Sequence, residues 1–244
     1  MTEMRTKMTP KVDGVISRHL NRRLSRPMAW AVRNVGFVTP NMVSWISLGL
    51  AVLAAMLYAF GGNILPRHYL ILGVLSVAPH VAMAGIMVQL SSIVDGVDGD
   101  LARIRHAATK SGGVLDAILD RYADIAILTG LFMAVWQESS AVSILPFALL
   151  TVPIDSVVLF CVYILALSGS LMVSYSRARL EHANLFVSDS VRFLGASRDV
   201  RLFVVFICSL VACPLLALVV IAVSGNMTVL FRLREIMRVD SARR

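Results

Sequence analysis

Crossing the hydrocarbon core of a bilayer takes about 20 apolar residues in helical form, and this chain supplies stretches of that length repeatedly. The run from Pro40 to Phe60 holds no charged residue, and Gly61-Gly62-Asn63 ends it. Tyr69 to Val94 reads as a second span, interrupted by Pro79, which a neighbouring helix must accommodate. Gly113 to Trp136 reads as a third, although Asp116, Asp120, Arg121 and Asp124 lie in its first turns. A fourth falls within Val142 to Tyr175, starting near Pro153. Leu202 to Phe231 divides at Pro214 into a fifth and a sixth. With 57% hydrophobic and 16% charged residues and a mean hydropathy of +0.77, disorder, a disulfide scaffold and an ordinary cytosolic enzyme are excluded. The expected fold is all-α, with six transmembrane helices.

Charge divides the chain in the same way. Of 23 Lys and Arg, eight precede residue 39, three lie in 96–111, five in 177–201 and five from Arg232 onward. These are alternate connections; the others hold only Arg67, while Arg121 lies inside the third span. The positive-inside rule then puts both termini and the two basic loops in the cytoplasm. The net charge of +8 marks anionic headgroups as partners, and no nucleic acid is expected, because no basic stripe carries stacking aromatics. No early apolar segment suggests a cleavable signal peptide.

Residues 1–38 are read as a cytoplasmic basic segment and 39–244 as one membrane domain. Within the first, 14–34 mixes apolar and basic residues at helical spacing, the pattern of an amphipathic helix lying in the interface; a disordered basic tail is the alternative. Thr39-Pro40 supplies an N-cap and first helical residue for the first span. Cys161, Cys208 and Cys213 fall in apolar runs with no ligand partners nearby and are expected to be small buried hydrophobes.

Acidic residues number fifteen, yet six of them fall between positions 95 and 124. Asp95 and Asp98, three apart, share a helix face, and Asp116, Asp120 and Asp124 form a stripe at intervals of four. Each carboxylate at membrane depth costs about 2.5–3.5 kcal/mol on insertion scales. Divalent ions resolve both that cost and the mutual repulsion, and an Asp-only set without His or Cys suits Mg²⁺ or Mn²⁺ rather than zinc. Two such ions form a familiar clamp for displacement at phosphorus. Gly99 and Gly112 let the backbone approach a nucleotide, and Arg103 is placed to neutralise phosphate oxygens. Polar glue between helices, or a cation or proton carrier, are the readings of another class; neither uses the glycines and the arginine.

The pattern D-x-x-D-G-x-x-A-R, eight residues, G-x-x-x-D-x-x-x-D resembles the signature of the CDP-alcohol phosphotransferases. Asp95, Asp98, Gly99, Ala102, Arg103, Gly112, Asp116 and Asp120 fill all its fixed positions. The resemblance implies a homodimer of six-helix bundles with a polar cavity open to the cytoplasm. It also implies transfer of a substituted phosphoryl group from a CDP-alcohol to an acceptor hydroxyl, with release of CMP. By the same resemblance, Asp95, Asp98, Asp116 and Asp120 hold two divalent cations, and Asp120 is also the catalytic base. Asp95, Asp98, Gly99, Ala102, Arg103 and Gly112 contact the CDP moiety.

Y-x-R-A-R, with Arg177 and Arg179, and R-x-x-R, with Arg198 and Arg201, look like branches whose acceptor is itself phosphorylated. Guanidinium forks suit such an acceptor phosphate, while plain positive-inside anchoring explains the same arginines without a ligand. The run Asp13 to Arg22 is similar to the start of the archaeal di-myo-inositol phosphate phosphate synthase branch. That implies CDP-inositol as donor and inositol phosphate as acceptor; some of that branch carry a fused cytidylyltransferase domain, for which this chain has no room, so CDP-inositol is expected from a separate protein. A CDP-linked lipid donor, giving phosphatidylinositol phosphate or phosphatidylglycerol phosphate, is the alternative within the family. His80 is expected to be a packed helix residue, and His106 a loop residue that is solvated or touches phosphate.

Overall fold

The computed structural model describes residues 20–65, 69–71, 75–138, 142–143, 151–183 and 197–241. The body is helical: α1 (Arg22–Val32), α2 (Pro40–Phe60), α3 (Pro79–Ile104), α4 (Lys110–Gln137), α5 (Ser156–His182), α6 (Arg198–Leu210) and α7 (Pro214–Ser241). Two short antiparallel ribbons occupy connections. β1 (Tyr69–Ile71) pairs with β2 (Leu75–Val77), Leu70 opposite Ser76, and β3 (Val142–Ser143) pairs with β4 (Thr151–Val152). Arg67, Arg192 and the part of the Asp13–Arg22 run before residue 20 lie outside the described residues.

Local chemistry sets the helix boundaries. Thr39 Oγ1 accepts from the Met42 amide at 3.2 Å, with Pro40 in the first turn of α2, as the sequence suggested. The second span is corrected. Pro79 does not interrupt a helix begun at Tyr69; it opens α3, because it has no N–H to give to a preceding turn and Ala78 before it is extended. The fourth span starts at Ser156, shortly after Pro153. Asp155 Oδ1 accepts from the Val157 and Val158 amides at 2.8 and 3.3 Å, capping α5.

The break before Pro214 is present: α6 ends as Ala212 adopts φ 55°, with the Cys213 amide donating to Cys208 O at 2.8 Å. That is the left-handed reversal of a Schellman stop, after which Pro214 can only begin a new helix.

Among the described residues, four helices are long and apolar enough to cross a membrane, within Pro40–Asn63, Pro79–Ile104, Ser156–His182 and Pro214–Arg238. The 28-residue α4 has the length but carries Asp120, Arg121 and Asp124 in its apolar stretch. At 13 residues, α6 reaches only about 20 Å at the helical rise.

α2 packs against both α3 and α4, α5 against α7, α6 against α3, and α1 lies along α3. Tyr58, Val88, Ile127, Leu131, Leu218 and Ile221 are buried at the centre. Close approach is built from small residues: a Cβ on Gly130 of α4 would stand 2.6 Å from Ala55 Cα on α2.

His80 is buried, as expected. Cys208 and Cys213 are buried too, but Cys161 is exposed. It lies off the stripe of Leu159, Ala166, Ser170 and Val173 by which α5 packs. α1 carries one face against the bundle and another away from it. Its buried positions are Ser25 and Ala29, turned to α3, while Leu24, Met28 and Trp30 are exposed.

Candidate active site

The acidic stretch is assembled by one helix end and one helix start. α3 carries Asp95 and Asp98 on to Arg103 and then stops. His106 adopts φ 52°, its amide donates to Arg103 O at 3.2 Å, and the Ala107 amide donates to Ala102 O at 2.9 Å. This is again a Schellman reversal, and His106 serves it as an exposed turn residue. Three residues later Thr109 Oγ1 accepts from the Gly112 amide at 3.0 Å and starts α4. The spacer between Arg103 and Gly112 is therefore the length needed to stop one helix, turn and cap the next. Gly112 leaves room for that cap, since a Cβ there would stand 2.9 Å from Thr109 Oγ1 and 3.3 Å from Asn41 Oδ1.

Asp95 from α3 and Asp116 and Asp120 from α4 each offer an oxygen, and those atoms lie within 4.8 Å of one another. Three carboxylates converging from two helices, with neither His nor Cys among them, fit a hard, oxygen-seeking divalent ion such as Mg²⁺ or Mn²⁺. Asp98 is not one of the three. It is buried and accepts a hydrogen bond from Ser44 Oγ of α2. Ser44 bears no motif, so the sequence held no signal for it.

Arg198, at the start of α6, enters this group. Its Nη1 is 2.8 Å from Asp95 Oδ2 and 2.9 Å from Asp120 Oδ1, and its Nε is 3.2 Å from Asp124 Oδ1. Asp124, 3% exposed, also accepts from Arg201 Nη2 at 2.7 Å and Ser170 Oγ at 2.9 Å. The structure thus brings Arg198 to the carboxylates and buries Arg201 beside it. Arg177 instead pairs with Glu181 on its own helix at 3.1 Å, and Arg179 is exposed near it at the end of α5. Arg121 Nη1 lies 3.5 Å from Asp120 Oδ2.

Arg103 is half-exposed and reaches Asp100 Oδ1 at 2.8 Å. Gly99 lies one turn before it, where a Cβ would make only ordinary contact with Arg103 Nη2 at 3.6 Å, and Ala102 is partly buried on the next turn. Asp100 is buried and also takes hydrogen bonds from Arg22 and Ser25 of α1. Asn21 extends this seam, donating to Ser92 Oγ and accepting from Gln89 Nε2, both at 2.9 Å. Arg105 ties the segment between α1 and α2, donating to the carbonyls of Val32, Arg33, Val35 and Val38 at 2.5–2.9 Å. Asp100 and Asp124 were visible as acidic residues, but apart from Arg103 their partners Arg22, Ser25, Ser170, Arg198 and Arg201 lie on other helices. Spacing along one segment could not disclose them.

A carboxylate trio on two helices with a guanidinium among it is a charged group whose chemistry suits a hard cation. A family model described as CDP-alcohol phosphatidyltransferase matches residues 37–230, which include the whole site. The chain belongs to that family. Among CDP-alcohol phosphatidyltransferase relatives, the bifunctional IPC transferase and DIPP synthase of Rubrobacter xylanophilus is 36% identical over 226 residues. The match takes in 93% of this chain and 43% of that protein. This chain therefore spans less than half the length of that bifunctional relative. The archaetidylinositol phosphate synthase of Pyrococcus horikoshii is 28% identical, covering 81% of this chain and 83% of its own length.

A crystal structure of Mycobacterium tuberculosis phosphatidylinositol phosphate synthase with CDP-DAG bound has the same fold. Its TM-score is 0.61 at 23% identity, over 87% of this chain and 92% of that one. Another structure of that enzyme holds manganese and citrate, with a TM-score of 0.59 at 22% identity, over 86% of this chain and 87% of that one.

Proposed function

We propose that this protein is a divalent-metal-dependent membrane transferase. It moves the inositol phosphoryl group of CDP-inositol to inositol phosphate, releasing CMP and forming di-myo-inositol phosphate phosphate. The observation that carries the reading is the convergence of Asp95, Asp116 and Asp120 beside Arg198. Similarity to the bifunctional IPC transferase and DIPP synthases supports the choice of substrates.

Asp95, Asp98, Asp116 and Asp120 would hold two divalent cations, Asp98 after release from Ser44. When bound, such ions neutralise the diphosphate and make its phosphorus electrophilic. Gly99, Ala102, Arg103 and Gly112, with Asp95 and Asp98, receive the CDP moiety, Arg103 meeting phosphate oxygen. Arg198 and Arg201, with Arg177 and Arg179 at the end of α5, form the basic side that takes the acceptor phosphate. Asp120 accepts the proton of the acceptor hydroxyl as that oxygen forms its bond to phosphorus. The bond from phosphorus to the CMP oxygen breaks, and CMP leaves.

In the same proposal the chain has six spans, α4 and α6 joining the four apolar helices. Both termini and the site face the cytoplasm, as the alternation of basic connections suggests. α1 lies at the interface, with Arg33 over the Trp30 ring at 4.2 Å on its exposed side. The protein acts in the cell membrane as a homodimer, by resemblance to its family. The second reading is a CDP-linked lipid donor. It is favoured by the near full-length match to the archaetidylinositol phosphate synthase.

The test is CMP release by purified protein in detergent, with CDP-inositol and with a CDP-linked lipid. Release from CDP-inositol that requires inositol phosphate, stops in excess chelator and returns with Mg²⁺ or Mn²⁺ is expected. Undiminished release in chelator would refute the metal-dependent mechanism. Cation flux through liposomes without CMP release from any CDP-alcohol would favour a carrier.

A further inference from the structure

Asp124 stands one helical turn beyond Asp120 on α4, outside the family signature, and no step above uses it. It is nevertheless among the most enclosed charged groups described, at 3% exposed. Both its oxygens are engaged. Oδ1 faces Arg198 Nε at 3.2 Å, and Oδ2 accepts from Arg201 Nη2 at 2.7 Å and Ser170 Oγ at 2.9 Å. Three helices, α4, α5 and α6, therefore meet at this one carboxylate. A buried carboxylate with two guanidinium partners holds their geometry, because removing it leaves buried positive charge without compensation.

The consequence falls on Arg198. With Nε held by Asp124, the guanidinium is anchored at that contact and its remaining nitrogens can only swing about it. Nη1 lies against Asp95 and Asp120. Nη2 is buried and has no hydrogen-bond partner among the described residues. A buried donor without a partner costs about 1–3 kcal/mol, more when charged, a cost that an incoming acceptor oxygen would relieve. A phosphate oxygen beside the carboxylate trio is such an acceptor.

We propose that Asp124 is the positioning residue of the acceptor subsite, fixing Arg198 through Nε so that Nη2 meets the acceptor phosphate. This rests on the reading that the acceptor is phosphorylated. Asp124 itself touches neither substrate.

The test compares wild type, Asp124→Asn, Arg198→Ala and the double variant Asp124→Asn/Arg198→Ala. Initial rates are taken against inositol phosphate and, separately, against CDP-inositol. Asp124→Asn is expected to raise the acceptor KM by roughly 10-fold to 100-fold, the scale of one charge-assisted hydrogen bond, with the donor KM unchanged. The double variant is expected to fall short of the product of the two single effects, because Asp124 acts through Arg198 and keeps only its Arg201 contact at Oδ2 once Arg198 is gone. A merely structural role would lower kcat or yield without separating the two KM values. If wild type shows saturable use of inositol phosphate and Asp124→Asn keeps its acceptor KM, or if the two effects multiply, the proposal is overturned while the reaction stands. If wild type uses no phosphorylated acceptor, the reading and the proposal fall together. Should Asp124→Asn not fold, Ser170→Ala, which removes only one of its hydrogen bonds, is expected to raise the acceptor KM by about fivefold. An unchanged value there would equally overturn it.

Discussion

Replacing Arg198 by Ala is expected to tighten divalent-metal binding, the opposite of what removing a residue from a metal site usually does. Nη1 sits at 2.8 and 2.9 Å from Asp95 Oδ2 and Asp120 Oδ1, two of the three groups whose oxygens converge. A cation ligated by those oxygens must displace it. Hydrogen bonds to charged groups contribute about 1.5–3 kcal/mol each. The displaced guanidinium keeps its Nε contact to Asp124, so one of the two Nη1 bonds is taken as unrecovered. At 1.4 kcal/mol per factor of ten, the Ala variant should bind Mn²⁺ roughly 10- to 150-fold more tightly. Electron paramagnetic resonance of free Mn²⁺ during titration of the detergent-solubilised protein reads this without turnover. An affinity equal to or weaker than wild type would refute the competition and leave Arg198 as a residue that merely adjoins the carboxylates.

Asp120→Asn should reduce turnover by about 10²–10⁴, the range for a lost general base, while calorimetry still finds substantial CDP-alcohol binding; near wild-type turnover would remove Asp120 from that role. Gly130→Ala forces a Cβ to within 2.6 Å of Ala55 Cα. It should cost about 1–3 kcal/mol in stability, read as a lower melting temperature in detergent with the rate per folded molecule unchanged. An unshifted melting temperature would mean that α2 and α4 are free to separate.

Thr39-Pro40, Gly61-Gly62-Asn63 and Pro214 announced their boundaries because caps and breakers act within a few residues of where they stand. Asp95 to Asp120 was legible for the same reason: one helix end and one helix start lie in a continuous stretch. Pro79 misled, because an apolar run of helical length conceals whether proline interrupts a helix or begins one. At the site, Ser44 and Ser170 carry no pattern, and their meaning comes from carboxylates on other helices. Arg198 and Arg201 were found as a pair, but their three-residue spacing could not foretell that one would bridge Asp95, Asp120 and Asp124 while the other is buried against Asp124. Asp100 lay inside the acidic stretch, yet its attachment to α1 depends on Arg22 and Ser25, whose segment reads as a headgroup-binding helix.

The most direct measurement is the identity of the product. Purified protein in lipid nanodiscs, given CDP-inositol, inositol phosphate and Mg²⁺, should yield CMP and a water-soluble phosphodiester joining two inositols and retaining one phosphate monoester, identified by mass spectrometry. A product formed only when a CDP-linked lipid replaces CDP-inositol would contradict the choice of donor, and CMP released from neither donor would contradict the proposed transferase activity itself.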